Sequence, residues 1–509
     1  MKILDCTLRD GGYYTDWDFD DRLVESYVDA MNVLPVDAIE VGYRSLPSKN
    51  YMGKYGYSPR FVMEGLRARC TKKIALMLNE KDIRPKDLPT VLDPVRDCID
   101  MVRMAIAPDN MERAVELGRA VAERGVAVAF NVMYMSKWRE MPAFLEQLPK
   151  LNGWVDCINM VDSFGGVTPD DVREIFAMVR EHTTVPIGFH GHNNLEMALV
   201  NTLAAIDCGA ASVDATVLGM GRGAGNLKLE LLLAFLNKSG LEVDFNTLGN
   251  VVERFMVLQR RYGWGTSLPY MLSGANSLPQ KDVMAWVSNR LLSLNSIVRA
   301  LENKRLHIED NDKFPIYEAV PSRRVLIVGG GPKTVEHIEA IRTLLASDPS
   351  ITIVHASSRN ASLLRDMPNP QIFCLVGDEG HRMERVFDGL GDFRGQCILP
   401  PYPRRMGTDV PASVADRTFE LKQVTFTDQY TDSCTAMALQ AALDMQAESV
   451  MVVGYDGYTD MVLTQKERDL TTENEYILSA FGRVFGGEFV SLTPTIYNAL
   501  RVDSIYHRI

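Results

Sequence analysis

The residues best equipped for chemistry lie at the start of the chain and again near residue 190. Arg9 and Asp10 stand side by side after a short apolar run, and Gly11 and Gly12 follow them. Asp10 offers a hard oxygen ligand beside a fixed positive charge. His190 and His192 are two apart in the run Phe189-His190-Gly191-His192-Asn193-Asn194. On a strand, residues two apart share a face, so both imidazoles can meet one ligand. The chain has only eight histidines, which makes this pairing a metal signal. Asn226 closes the glycine-rich run Gly219-Met220-Gly221-Arg222-Gly223-Ala224-Gly225-Asn226. It would either cap the next helix or give its carboxamide oxygen to a metal. Oxygens from Asp10 and Asn226, two imidazoles and open water positions suit a six-coordinate Mn2+ or Mg2+, and accommodate Co2+ or Zn2+. A structural zinc site would rather use cysteine and leave no open position.

For these residues to meet, the chain must gather the ends of distant strands. Continuous apolar runs at 3–8, 38–41, 74–78, 101–106, 126–132, 156–161, 186–190 and 212–217 read as strands covered on both faces. Amphipathic helical stretches at 20–32, 110–124, 168–181, 195–208 and 227–236 alternate with them. Eight such units over residues 1–240 predict an α/β fold of the (β/α)8 TIM-barrel type, with an open doubly wound sheet as the competing topology. In a closed barrel, strands one, seven and eight are neighbours, and chemistry collects at the C-terminal strand ends. Glu40, Tyr43 and Arg44 end the second strand, Asn131 lies on the fifth, and Asp162 and Ser163 follow the sixth. These six are expected to line the pocket. Arg44 would bind a substrate carboxylate or phosphate, or else form a surface ion pair.

The bulk properties narrow the class. A chain of 509 residues with 46% apolar content has material for more than one globular core. A net charge of -12 argues against broad nucleic-acid or anionic-membrane binding. Eight cysteines without a CxxC pair suit a reducing compartment. No apolar run approaches the roughly 20 residues of a membrane span. A cytoplasmic, homo-oligomeric enzyme acting on small molecules is the expectation.

Beyond the barrel, residues 241–310 read as a helical extension over its mouth, rich in aromatics such as Tyr262, Trp264, Tyr270 and Trp286, with further apolar surface at 291–294. Residues 311–323 read as a linker, preceded by a polar stretch from residue 309. From 324 to 509 a second strand and helix alternation predicts a Rossmann-like α/β domain. Its Gly329-Gly330-Gly331-Pro332 turn suggests a phosphate cradle, but Thr334 breaks the dinucleotide fingerprint. Gly329, Gly331 and Asp456 are the candidate contacts to a nucleotide or nucleotide-sugar, with a non-catalytic scaffold or oligomerisation role as the alternative.

Taken together, Thr7-Leu8-Arg9-Asp10-Gly11, Val161-Asp162-Ser163, His190-Gly191-His192-Asn193-Asn194 and Gly221-Arg222-Gly223-Ala224-Gly225-Asn226 resemble the metal-dependent aldolase and lyase superfamily with a strand-one LRDG signature. That superfamily includes 4-hydroxy-2-oxovalerate aldolase, hydroxymethylglutaryl-CoA lyase and the isopropylmalate synthases. The resemblance covers residues 1–240 and is closest to the pyruvate aldolases. It implies that Asp10, His190 and His192 ligate a divalent metal, with Asn226 a fourth ligand, and that Arg9 steadies an enolate oxygen. The implied reaction joins pyruvate and an aldehyde, or cleaves the resulting 4-hydroxy-2-oxo acid. A Claisen-type condensation with an acyl-CoA and an inactive barrel serving as a scaffold are the alternatives. One residue departs from the pattern: Tyr13 stands where these aldolases carry an acid/base histidine. Tyr13 is therefore the candidate proton carrier, or else lid packing, with Tyr14, Glu40, Tyr43, Arg44, Asn131 and Tyr134 as other groups near strand ends.

Overall fold

The computed structural model describes residues 1–49, 51–288, 292, 294–308, 313–391, 393–404, 408–458 and 465–509. Part of the expected linker and the apolar position 291 lie outside these residues. The chain forms two compact units, Met1–Ala285 and Trp286–Ile509.

In the first unit, β1 (Lys2–Asp5), β2 (Ala38–Tyr43), β3 (Lys73–Asn79), β4 (Met101–Ile106), β5 (Ala127–Val132), β6 (Cys157–Asp162), β7 (Ile187–Gly191) and β8 (Ser212–Ala215) close into a parallel barrel. Closure is direct: β1 pairs in parallel with both β2 and β8. Ile39, Leu76, Val102, Val128, Ile158 and Phe189 are wholly buried, which is why these strands read as unbroken apolar runs. The barrel was the favoured expectation, and closure rules out the open sheet.

The opening segment differs from its expected form. The first strand stops at Asp5, and Thr7–Thr15 is a helix that carries Arg9, Asp10 and both glycines. Asp10 thus sits in a helical first turn, where the helix dipole favours a carboxylate. The glycines serve packing rather than a free turn. A β-carbon on Gly11 would lie 2.5 Å from Met220 Sδ, and one on Gly12 would lie 2.0 Å from the Trp17 ring. Trp17 in turn donates from Nε1 to the Arg9 carbonyl at 2.9 Å, so the close approach fixes the backbone that bears Arg9.

Three helices after the barrel, Phe245–Tyr262, Leu268–Ala275 and Gln280–Ser288, follow β8 and its helix. They hold the loops at the ends of β7 and β8. Thr266 Oγ1 donates to the Asn193 carbonyl at 2.8 Å, and Trp264 Nε1 to the Leu218 carbonyl at 3.0 Å. Gln280 Nε2 donates to Asn194 Oδ1 at 2.8 Å. The last helix of the expected extension, Leu294–Leu306, belongs with the second unit, where Arg299 pairs with Asp409 at 2.9 Å.

The second unit is another α/β domain built on one parallel sheet. Its strands are β9 (Arg324–Val328), β10 (Thr352–His355), β11 (Gln371–Cys374), β12 (Gln396–Leu399), β13 (Thr418–Glu420), β14 (Ser449–Val453), β15 (Glu488–Ser491) and β16 (Arg501–Val502). They lie in the order β13-β12-β11-β10-β9-β14-β15-β16, so the winding reverses between β9 and β14. Strands β13 and β16 have three and two residues and carry too little pattern to be read in sequence. Among the described residues no helix is long and apolar enough to cross a membrane.

The glycine contacts give a paired test. Alanine at a helical glycine is ordinarily stabilising by about 0.5–1 kcal/mol. Gly65, exposed in the helix Arg60–Arg69 with open space at its β-position, should follow that rule and raise the barrel's melting temperature. Gly12→Ala should reverse the sign and cost about 1–3 kcal/mol through overpacking on Trp17. Thermal denaturation of the two variants reads both directions.

Candidate active site

The site is assembled from the first turn of the helix Thr7–Thr15 and from the C-terminal ends of β2, β6, β7 and β8. Backbone pairing brings the distant parts together. Asn226 forms an isolated bridge with His192, and Asn193 donates from its backbone N–H to the Gly225 carbonyl at 2.9 Å. Gly225 takes a left-handed backbone with φ 79° and packs where a β-carbon would lie 2.2 Å from the Gly219 carbonyl oxygen. At the first strand, Thr7 Oγ1 accepts the Val217 N–H at 2.8 Å.

A buried chain of charges runs through this assembly. Arg9 Nη1 donates to Asp10 Oδ1, and Arg9 Nε donates to Glu40 Oε2 at 2.7 Å. Arg103 on β4 reaches the same Glu40 oxygen at 3.1 Å and Asp214 Oδ2 on β8 at 2.5 Å. His190 Nδ1 lies 2.8 Å from Asp214 Oδ2, and His190 Nε2 lies 3.6 Å from Asp10 Oδ2. Two guanidinium groups thus face the three carboxylates of Asp10, Glu40 and Asp214, all nearly sealed from water. His190 stands between two of these carboxylates, Asp214 and Asp10.

The two imidazoles are each anchored by Nδ1, which leaves Nε2 for a ligand. His190 uses Asp214, as above; His192 Nδ1 contacts the Asp162 carbonyl oxygen at 2.6 Å. The rings lie 5.1 Å apart and nearly perpendicular. Burial, with His190 beside it, pushes the His192 imidazole down to about 4, so it is neutral and able to ligate at ordinary pH. Burial works to raise the Asp10 carboxyl, but Arg9 and the two histidines outweigh it and hold it below the usual range. Asn226 Nδ2 donates to Asp10 Oδ2 at 2.6 Å, while its buried Oδ1 has no hydrogen-bond partner. An orphaned buried oxygen costs about 1–3 kcal/mol, and here it belongs to the amide that holds the Asp10 carboxylate. These donors fit a divalent cation.

The remaining expected residues divide. Glu40 is fully buried, and its Oε1 has no hydrogen-bond partner. Tyr13 and Tyr43 meet hydroxyl to hydroxyl at 3.0 Å. Asp162 contributes mainly through its backbone: its carboxylate accepts the N–H groups of Gly166 and Val167 at 3.2 and 3.4 Å, and burial pushes it up to about 7. Ser163 Oγ accepts the Tyr134 N–H at 2.8 Å and shapes the loop. Asn131 accepts from Asn159 Nδ2 at 2.9 Å within the barrel interior. Arg44 is not brought into the site. Its guanidinium donates to the carbonyls of Val91, Tyr57, Ser58 and Thr90, tying the β2 end to a neighbouring loop. Tyr14 is likewise occupied, donating to the Gly223 carbonyl at 3.2 Å.

In the second unit, the glycine turn after β9 is not an open phosphate cradle. Gly329 N–H donates to the Val453 carbonyl, Gly331 N–H to the Gly454 carbonyl at 2.9 Å, and Lys333 N–H to Asp456 Oδ2 at 2.7 Å. Asp456 thus takes the N–H that follows the turn as its hydrogen-bond donor.

Two central residues escaped the sequence reading, Arg103 and Asp214. Their signal was present: each is the one charged residue within a short buried strand, Met101–Ile106 and Ser212–Ala215. Cys6 also lies within 4.8 Å of His190 and Asp214, but burial and Asp10 push its thiol far up, and Asp214 is already held by Arg103.

With this geometry in view, similarity to known proteins is informative. Residues 85–252 match the HMGL-like family model. The chain is 33% identical to 4-hydroxy-2-oxovalerate aldolase of Pelotomaculum thermopropionicum over 273 residues, spanning 51% of this chain and 76% of that protein. The chain belongs to the HMGL-like family. A second 4-hydroxy-2-oxovalerate aldolase, from Spirochaeta aurantia, is 31% identical over 60% of this chain and 91% of its own length. Oxaloacetate decarboxylase of Mycobacterium tuberculosis is 27% identical over 58% and 89% respectively. Among solved structures, the N-terminal domain of a Bacteroides vulgatus protein described as an aldolase is 57% identical, with TM-score 0.57, covering 59% of this chain and all of that one. The protein is therefore an aldolase of this superfamily and a carbon–carbon lyase, and the reading of the barrel as an inactive scaffold is set aside.

Asp214→Asn tests the charge chain. Burial works to raise this carboxyl, but Arg103 and His190 hold it near 2, below its unfolded value of about 3.9. The ionised form is favoured in the fold, so the stability it contributes is present above about pH 4 and lost as pH falls toward 2. At pH 7 the variant should be about 3–5 kcal/mol less stable, because Arg103 loses a buried partner. Denaturant titrations at descending pH should show that difference narrowing below pH of about 4.

Proposed function

We propose that the barrel is a divalent-metal-dependent aldolase that forms or cleaves a carbon–carbon bond between pyruvate, as its enolate, and an aldehyde. The observation that carries this reading is the cluster at Asp10 Oδ2: His190 Nε2 lies 3.6 Å away, Asn226 Nδ2 donates to it at 2.6 Å, and Asn226 Oδ1 is left without a hydrogen-bond partner, with His192 just past the end of β7. Mn2+ or Mg2+ suits that donor set, with Co2+ or Zn2+ as the other candidates. The metal would supply Lewis-acid polarisation of the 2-oxo acid.

The chain's own residues account for the rest. Arg9 places a permanent positive charge next to Asp10, where negative charge develops on the enolate oxygen. Glu40 fixes that guanidinium through Nε and leaves the group no freedom to swing away. Asp214 and the Asp162 carbonyl hold the imidazoles in the orientation that presents Nε2. The Tyr13 and Tyr43 pair is the proton carrier in place of the missing histidine: its hydroxyls are joined at 3.0 Å, and both residues are partly exposed. Burial, with Tyr13 beside it, pushes the Tyr43 hydroxyl up. The absence of any disulfide among the eight cysteines supports a reducing, cytoplasmic setting.

For the second unit we propose a Rossmann-like scaffold role rather than dinucleotide binding, because Asp456 and the carbonyls of Val453 and Gly454 occupy the N–H groups of the glycine turn.

Deuterium exchange into the pyruvate methyl group, followed by NMR, tests the aldolase reading. Exchange should require added Mn2+ or Mg2+ and vanish with EDTA. Asp10→Ala and His192→Ala should abolish it. Tyr13→Phe should lower turnover by about 100-fold or more. Near-normal turnover in Tyr13→Phe would return Tyr13 to a packing role, and metal-independent exchange would sink the larger proposal.

A further inference from the structure

The arginines in and near the site are not equivalent. Arg9 and Arg103 are buried and spend their donors on carboxylates, and Arg44, outside the site, spends its donors on backbone carbonyls. Arg222 differs. It sits in the glycine-rich loop after β8, four residues before Asn226. Its guanidinium carbon lies over the Tyr13 ring, 3.9 Å from the ring centroid, and among the described residues no carboxylate or carbonyl accepts from its N–H groups.

The loop that carries Arg222 is firmly held. Gly225 N–H donates to the Arg222 carbonyl at 3.1 Å, Tyr14 donates to Gly223, and a β-carbon on Gly221 would lie 2.5 Å from the Asn226 amide. The guanidinium root therefore cannot drift far from Asn226. The Tyr13 ring lies against the guanidinium, whose N–H groups remain for an acceptor. Exposure gives the direction. Arg9, Asp10, Glu40, His190 and Asn226 are buried, whereas His192, Tyr13, Tyr43 and Arg222 are partly exposed and form the solvent side. An uncompensated, preorganised guanidinium on the solvent side of an otherwise sealed site is an anion receptor.

From this geometry we infer that Arg222 binds an anionic group, a carboxylate or phosphate, on the carbonyl substrate that reacts with the pyruvate enolate. This deepens the aldolase reading and rests on it. In the addition, pyruvate C3 bonds to the aldehyde carbon, the carbonyl π pair moves to the aldehyde oxygen, and that oxygen takes a proton. Cleavage runs the same steps backward. Arg222 touches only the distal anionic group, so it sets substrate choice without entering the bond changes.

The test compares matched aldehydes in pyruvate condensation: succinic semialdehyde against butanal, and glycolaldehyde phosphate against glycolaldehyde. The wild-type enzyme should favour at least one charged partner in kcat/KM, and which pair shows it separates carboxylate from phosphate. Arg222→Met should lose about 10- to 100-fold on that charged substrate, chiefly through KM, with a much smaller change for its neutral match. Arg222→Lys should restore part of the preference. A wild-type enzyme without charge preference, or equal losses on both members of a pair, overturns the inference. Wild-type pyruvate exchange read in the same samples keeps the two levels apart. Metal-dependent exchange without charge preference sinks only the role of Arg222, while absent exchange sinks the aldolase reading and this inference with it.

Discussion

The site depends on a buried chain of charge. Arg9, Arg103 and His190 face Asp10, Glu40 and Asp214, and none of the three carboxylates is open to water. Burying charge is expensive, and removing any partner from such a set typically costs about 3–5 kcal/mol. Each oxygen left over, Glu40 Oε1, Asp214 Oδ1 and Asn226 Oδ1, adds a desolvation cost of its own. A bound divalent cation beside Asp10 would give the Asn226 oxygen a partner. The Nδ1 contacts of the histidines serve the same end, because an imidazole fixed through Nδ1 presents its Nε2 without searching for it.

How much of this was legible in the sequence follows from where each signal resides. The barrel strands could be read because both faces are covered, so Met101–Ile106 and Ala127–Val132 show as nearly continuous apolar runs. The pair His190 and His192 could be read because a strand's two-residue period is visible in the chain. The start of the helix Thr7–Thr15 could not, since Gly11 and Gly12 are poor helix formers locally. What forces the helix there is tertiary: only glycine admits Met220 and Trp17 so close. Arg44 misled for a related reason. It stands next to functional residues at a strand end, and only the fold shows that the backbone carbonyls around it consume its donors. Arg103 and Asp214 were overlooked because a lone charge in an apolar strand has no partner visible in sequence; the partner is supplied by barrel closure.

The second unit shows the same limit from the other side. A glycine-rich turn after a strand is a fair phosphate signal when its N–H groups are free. Here the reversal of strand order sets β14 beside β9, and the segment that follows β14 folds its own carbonyls and Asp456 onto that turn. The motif is present, and the N–H groups of Gly329, Gly331 and Lys333 are already used. Fold and turn composition alone therefore do not license a nucleotide reading.

The most direct test of the central claim is anomalous diffraction from crystals of the full chain soaked in Mn2+. The account predicts a single strong peak bounded by Asp10, the Nε2 atoms of His190 and His192, and the carboxamide oxygen of Asn226, and its loss in Asp10→Asn crystals. No peak among these residues, with Mn2+ bound elsewhere or not at all, would contradict it.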